Sequence, residues 1–451
     1  MGSTFGGISN ASTAMGVARY GLDVIQQNIS NATTPGYTRQ SAQQATVDSA
    51  TGVPSIFTKP AGMGGVMISG TARMMDPVMT ARARTEQARS AQADTTAGGL
   101  SNIENLFPEP SNTGLSEQLN DFWNAWGTVS SNPGAVAPRA VLLNKAATVA
   151  STLNAVSTSL SGLAASTTQS LTNDVTSANT AATQLATING QIAIASATGA
   201  SANALLDQRD ALLTSLSTLV GGVATINVNG TADVLVGGQS LVAGVTTTPM
   251  SVGAGPVLSV GATAVALTGG SAAAEVTSLT TTIPNVQAQL DAVANRLSAT
   301  VNSGQAAAFD LYGNPGAVMF SGTGAAGLTV AITDPKTIAA AATPGTTLDG
   351  TAALTMSGSG RQAGGPDSLY TTLVAGVGSA SALAQQQQTT QDAVTSNVLQ
   401  LQNSVSGVNT DEEVSNMLTY QHAYSAASRV LTTLDSMLDT LINHTGLVGQ
   451  A

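Results

Sequence analysis

Apolar residues recur every three and four positions at both ends of this 451-residue chain. Ile8, Ala11, Met15, Ala18, Leu22, Ile25 and Ile29 alternate these two steps, which places them on one stripe of a helix. Met417, Tyr420, Tyr424, Ala427, Leu431, Leu434, Leu438 and Leu441 form a second stripe near the other end. Isolated helices of this length are marginal in water, so each stripe needs a partner. The simplest arrangement pairs the two ends in a coiled-coil-like unit, which is either an ordinary internal bundle or a unit that packs on further copies of the chain. Such a chain is nested: it runs outward from the pair and comes back to it.

The interior supports this path. The first stripe stops at Asn31–Gly36, where Pro35 biases Thr34 away from the helical region and Gly36 permits a turn. Residues 37–70 read as extended and loopy, with Val66-Met67-Ile68 a short strand. Helical patterns follow from Asp76 to Ile103, broken by Phe107-Pro108-Glu109-Pro110, and from Leu115 to Val129. A long helical segment runs from Pro138 to Val220. Its stripe is irregular between Leu163 and Leu171, and a turn is expected at 198–201. Residues 221–270 read as short strands and hairpins, 283–301 as helix, and 305–366 as Gly-, Thr- and Ala-rich with a strand at 328–332. Helix returns from Asp367 to Val405. Thr410 and Glu413 have the spacing of a capping box that opens the last helix, and Gly446 reads as its stop signal. The predicted class is mainly α with β-rich insertions. It has an inner terminal-helix domain (1–36 and 408–451), a helical rod-like domain (37–220, 281–320 and 367–407) and an outer β-rich region (221–280 and 321–366).

Composition narrows the chemistry. Charged residues are 9% of the chain, against ~25% in an ordinary globular protein, and hydrophobic residues are 42%. Solubility must come from hydroxyls and amides, and the small side chains let helices approach closely. The net charge of −11 argues against nucleic acid or an anionic membrane as partner, since both favour basic patches. The absence of Cys excludes disulfides and thiol chemistry. The first residues show no basic-then-apolar leader pattern, and no run of apolar residues is long enough to span a bilayer.

No residue set reads as catalytic, and no cofactor or metal is expected. The two histidines, His422 and His444, lie in or just after the last helix, where surface or interface positions are expected. Asp435 and Asp439 share a helix face as a solvated or interfacial row. Asp207, Arg209 and Asp210 read as a local ion-pair cluster that orients a helix end. The glycines at 62, 64 and 65 lack the Gly-Lys-Ser/Thr of a phosphate loop. Trp123 and Trp126, one helical turn apart, read as core anchors.

Several motifs carry a resemblance. The run Gln27-Asn28-Ile29-Ser30-Asn31-Ala32-Thr33-Thr34-Pro35-Gly36-Tyr37-Thr38-Arg39-Gln40 is similar to the N-terminal motif of bacterial flagellar rod, hook and hook-associated proteins. Its Tyr37–Gln40 ending resembles the hook-associated proteins of the FlgK type. Phe122–Trp126 with Ser131-Asn132-Pro133, Asp207-Gln208-Arg209-Asp210, Ser406–Glu413, Tyr420–Tyr424 and Leu441-Ile442-Asn443 resemble further motifs of that family, in the family's order. Residues 221–280 and 320–366 carry little of it, and the middle is short for the family.

The resemblance implies a non-enzymatic structural subunit of the extracellular flagellum, an adaptor ring at the hook–filament junction. It implies export through the flagellar type III apparatus with a cytoplasmic chaperone. Its partners would be copies of itself, hook protein below, and a second junction protein or flagellin above. The subunit interface would be Ile8, Met15, Leu22, Ile25 and Ile29 with Met417, Tyr420, Tyr424, Leu431, Leu434, Leu438 and Leu441. Other readings stay open: a rod or hook subunit, a surface adhesin using the β-rich middle, or a wall-hydrolysing enzyme.

Overall fold

In the computed structural model, which describes residues 4–47 and 65–443, the two ends of the chain lie side by side. Helix α1 (Thr4–Ser30) is followed by an antiparallel hairpin of β1 (Gln40–Val47) and β2 (Gly65–Arg73), with Gln40 opposite Arg73 and a bulge at Gln43/Gln44. The hairpin packs on α1. The expected glycine cluster at 62 and 64, together with His444 and Gly446, lies outside the described residues.

Helix α2 (Pro77–Glu104) starts sharply. Asp76 accepts hydrogen bonds from the backbone N–H groups of Val78 and Met79, and Pro77 sits where no intrahelical donor is needed. Then come α3 (Leu115–Ser131), α4 (Val136–Thr198) and α5 (Asn203–Val220). The last two helices are α10 (Pro366–Ser406) and α11 (Thr410–Asn443), and α10 returns along α2. Helix α11 is capped by Asn409, whose Oδ1 accepts from the N–H groups of Asp411 and Glu412. The predicted capping box is therefore not used: Thr410 is already helical, and the Glu413 carboxylate is drawn away to other partners.

Helix α4 has 63 residues and at 1.5 Å per residue spans about 95 Å. It is unbroken through the irregular stretch. The irregularity marks a change of partner instead. Residues up to Leu160 and Leu163 join a first core, and residues from Leu171 onward join a second. The eight-residue step from Leu163 to Leu171 turns the apolar face about 80° beyond two full turns. Threonines 167, 168, 172 and 176 in and after this stretch donate to carbonyls four residues back.

The first core is built by α3, the first half of α4 and α7 (Ile283–Ala306). Phe122, Trp123 and Trp126 lie fully buried at its centre, with the Phe122 and Trp123 rings edge-on at 4.7 Å. Trp123 Nε1 donates to Asp367 at 2.8 Å and so ties α10 to α3. Residues 319–356 also pack here, through Phe320, Leu328, Ile338 and Met356. That differs from the expected grouping with the β-rich region. The segment carries strands β10 (Phe320–Ser321) and β11 (Thr329–Val330), a single helical turn α8 (Gly324–Gly327), and helix α9 (Thr351–Ser359) against α3. The expected strand at 328–332 is only two residues long.

The second core joins the far half of α4 and α5 to small sheets. Strands β3 (Val223–Ile226), β4 (Ala232–Val236), β5 (Gln239–Ala243) and β6 (Thr246–Thr247) pair in order, as do β7 (Met250–Val252), β8 (Leu258–Val260) and β9 (Thr263–Ala264). Asn189, buried on α4, fixes the first sheet: it accepts from the Ala232 N–H and donates to the carbonyls of Ala232 and Gly244. Helix α6 (Ser271–Thr277) closes this core and leads through a π-helical turn (Ser278–Thr282) into α7.

Glu275 on α6 is buried, with one carboxylate oxygen lacking a partner, and burial followed by the nearby Asp174 pushes its pKa up to about 8. A raised acid pKa favours the fold below the unfolded value of 4.5, and that advantage is lost as pH climbs toward 8. Glu275→Gln should remove this slope. Its thermal midpoint should match the wild type near pH 5 and exceed it by several degrees at pH 9; parallel curves across that range would refute the assignment.

Candidate subunit interface and the polar knot at its base

The α1–α11 seam is antiparallel and close. A Cβ on Gly7 would stand 3.1 Å from Leu434 Cδ1, and a Cβ on Gly21 would stand 2.5 Å from the Tyr420 ring. Asn28 donates to Glu413 Oε2 at 3.0 Å. From Gly7 to Gly21 to Asn28 the chain advances 14 and then 7 residues, while the partners retreat along α11 by the same steps. That is a heptad register. On the α1 side its central positions are small or polar, so the two backbones approach closely.

The expected apolar residues flank this line. Ile25 is buried, while Ile8, Met15, Leu22 and Ile29 are half-buried. Met417, Tyr420, Leu431, Leu434 and Leu438 are half-buried on α11. Tyr424 stands out of the seam, 38% exposed, and Leu441 continues the heptad of Tyr420 and Leu434. Val17, Gly21, Val24 and Asn28 form a second, buried stripe beside the one read from the sequence, with the same spacing. Helix α1 needs both stripes because it is covered twice, by α11 and by the hairpin. Tyr20, for example, shares a 2.6 Å hydrogen bond with Thr71 of β2.

At the base of the seam the Asn28 side chain is saturated. It donates to the Gln40 carbonyl at 2.8 Å and to Glu413, and it accepts from the Gln40 N–H at 2.9 Å and the Tyr37 hydroxyl at 2.8 Å. Arg39 completes the knot with Glu413 at 2.7 Å and Glu412 at 2.8 Å, and its N–H donates to the Ser406 carbonyl. Burial, then the Asp207 and Glu413 carboxylates, push the Tyr37 phenol up to about 12, so it stays a hydrogen-bond donor. These contacts give the Asn28…Tyr37-Thr38-Arg39-Gln40 run a physical reading. Its polar groups lock the turn after α1 to the start of α11.

A second cluster extends the knot outward. Arg73, at the end of β2, reaches Asp207 and Asp210 of α5, both at 2.7 Å, and Thr38 at 3.0 Å. Arg209 pairs with Asp210 at 2.8 Å and donates to the Gly230 carbonyl. Asn203 bonds Gln40 Oε1 and the Thr71 carbonyl. Burial raises the pKa of Asp207 in spite of Arg73. The Asp207–Asp210 signature thus reaches beyond its own helix end: it joins α5 to the hairpin and to the knot. His422 lies exposed on α11, and Asp439 accepts from Asn443 there. Among the described residues no group of three or more potential ligands is placed to hold a metal ion, and no helix is long and apolar enough to cross a membrane.

Comparison with known proteins places this architecture. Residues 100–320 match the family model of the flagellar hook-associated protein FlgK helical domain. Residues 402–444 match that of the flagellar basal body rod FlgEFG protein C-terminal region. The chain is 32% identical over 232 residues to flagellar hook-associated protein 1 of Bacillus subtilis, a match covering 51% of this chain and 46% of that protein. It is 30% identical over 242 residues to the Escherichia coli protein of the same name, covering 53% and 43%. The chain spans less than half the length of these curated relatives. The solved structure of the flagellar hook junction protein FlgK from Burkholderia pseudomallei superposes with a TM-score of 0.65. It covers 72% of this chain and all of that one, and at 18% identity the likeness is one of fold.

Proposed function

The chain belongs, by residues 100–320, to the flagellar hook-associated proteins of the FlgK type, and from that membership we propose that it is a structural, non-enzymatic adaptor of the hook–filament junction. It assembles with copies of itself, with hook protein on one side and a second junction protein or flagellin on the other. It reaches the extracellular flagellum through the flagellar type III export apparatus, accompanied by a chaperone in the cytoplasm. The inner wall of the ring is the α1–α11 pair, the helical domain lies outside it, and the second core lies farthest out.

One observation carries this reading. After α1 and the hairpin have taken their share, α11 still exposes Val414, Leu418, Tyr424, Val430, Met437 and Ile442. Val430 and Met437, seven residues apart, share one side of the helix, and apolar residues gathered on an exposed side mark a surface made for partners. Tyr424, which stands out of the seam, then faces neighbouring subunits. A rod or hook subunit is the second reading, favoured by the match of residues 402–444 to a rod-protein model.

A strain lacking the chain separates the two. An intact hook that sheds unpolymerised flagellin is the expected result; loss of the hook itself would assign the chain to the rod or hook.

A further inference from the structure

Three guanidinium groups and only two carboxylates meet where α2, α5 and the hairpin come together. Arg73 and Arg209 each hold one oxygen of Asp210, at 2.7 and 2.8 Å, and Arg73 also holds Asp207. Arg84 on α2 is left over. It is 8% exposed, its nearest carboxylate oxygen is 3.9 Å away and already taken, and its Nε has no acceptor among the described residues. One turn along α2, Gln87 Oε1 has no donor. Both side chains line an open cleft of about 410 Å³ whose rim includes the exposed Pro35, Gly36 and Asn403. On its other side Arg84 lines a second cleft of about 270 Å³.

A buried cation whose one carboxylate neighbour, 3.9 Å away, is shared with two other guanidinium groups is costly. A fold that keeps one next to a cleft of side-chain size is built to receive an anion. We propose that the cleft at Arg84 takes the carboxylate of a Glu or Asp side chain from a neighbouring copy of this chain. Charge complementarity favours that occupant: the chain carries 25 acidic against 14 basic residues, so neighbouring copies offer carboxylates freely. The incoming carboxylate accepts from Arg84, and a backbone N–H of the same segment donates to Gln87. The contact would couple the assembly surface to the α2–α5 junction and, through Tyr37 and Thr38 in the cleft wall, to the base of the α1–α11 seam. Burial, which outweighs the attraction of Asp210, already holds the Arg84 guanidinium below its ordinary pKa. A second carboxylate would reverse that.

The inference rests on the junction-subunit reading, and the test keeps the two apart. Flagella are isolated from cells carrying Arg84→Lys and treated with a water-soluble carbodiimide. The reagent takes up the water lost as the amine at position 84 and an adjacent carboxylate form an amide. The expected product is a covalent dimer of this chain, with mass spectrometry locating position 84 joined to an acidic residue of the other copy. An amide only to Asp207 or Asp210 of the same chain, one to a different axial protein, or no amide at all overturns the inference. Absence of the wild-type chain from isolated flagella would instead overturn the reading beneath it.

A second variant guards against a purely structural role. Arg84→Gln should lower incorporation at least tenfold while the purified chain melts no lower than wild type, since the buried charge is gone. A lower melting point with normal incorporation would make Arg84 a packing residue only. If inorganic phosphate raises the melting point of the wild type but not of Arg84→Gln, and no dimer forms, the cleft holds a free anion and not a neighbour.

Discussion

Glu413→Ala is expected to open the base of the terminal pair. Glu413 is 1% exposed and is shared by Arg39 and Asn28, so its loss leaves the Arg39 Nε and one Asn28 N–H without the acceptor they share. Removing one member of a buried ion pair costs about 3–5 kcal/mol, and Arg39, which keeps some contact with water and with Glu412, argues for the lower end. The loss should be local. The Gln40 N–H bonds Asn28, the Arg39 N–H bonds Ser406, and the Met74 N–H bonds the Arg39 carbonyl. Amide exchange at these three sites should quicken about 100-fold, as ~3 kcal/mol implies. Unchanged exchange there would mean that the knot adds nothing to the pairing. Glu413→Gln, which keeps the Asn28 contact and loses the charge, should fall between.

Leu434→Asp should abolish incorporation into the flagellum. Leu434 packs over Gly7 at a central seam position, where a small residue faces a large one. A half-buried Leu is worth roughly 1.5–3 kcal/mol when fully covered, and a carboxylate at the same place must also be desolvated. Neither buried core includes this residue, so the thermal unfolding of both should be unchanged. Leu431→Asp should behave in the same way, and Leu434→Met should assemble. Normal incorporation of Leu434→Asp would remove α11 from the list of assembly surfaces.

The elements that declared themselves in the sequence are those with sustained periodicity. The stripes of α1 and α11, the run of α2, the division at 198–201 and the long α10 all follow from apolar spacing and from Pro or Gly at their ends. The base of the seam was harder to read. Asn28 and Glu413 are 385 positions apart, and each is of a type that usually faces solvent. Nothing in local spacing marks them as partners. Their places were visible only as members of motifs, and the hydrogen bonds supply the reason the motifs exist.

Residues 319–356 join the first core for a reason that local spacing does not carry. Ile338, Ala339, Ala340 and Ala341 are all buried, yet a consecutive apolar run has neither a helical nor a strand period. Helix α9 hid in a Gly- and Thr-rich stretch and owes its form to α3 more than to propensity. The cluster around Asp207 and Asp210 was legible as charge but not as a bridge, because Arg73 and Arg84 lie more than a hundred residues earlier in the chain.

Helix α4 serves both buried cores without a break, and that has a mechanical meaning. A flexible linker between two bodies lets one swing while the other stays still. A single helix with its flank embedded in each body permits no such swing, and its turn at Leu163–Leu171 sets their relative orientation in the covalent chain itself. Torque applied to one body is therefore delivered to the other as twist in a stiff spar about 95 Å long. If the proposed place at the hook–filament junction holds, the protein would act there as a keyed coupling and not as a hinge.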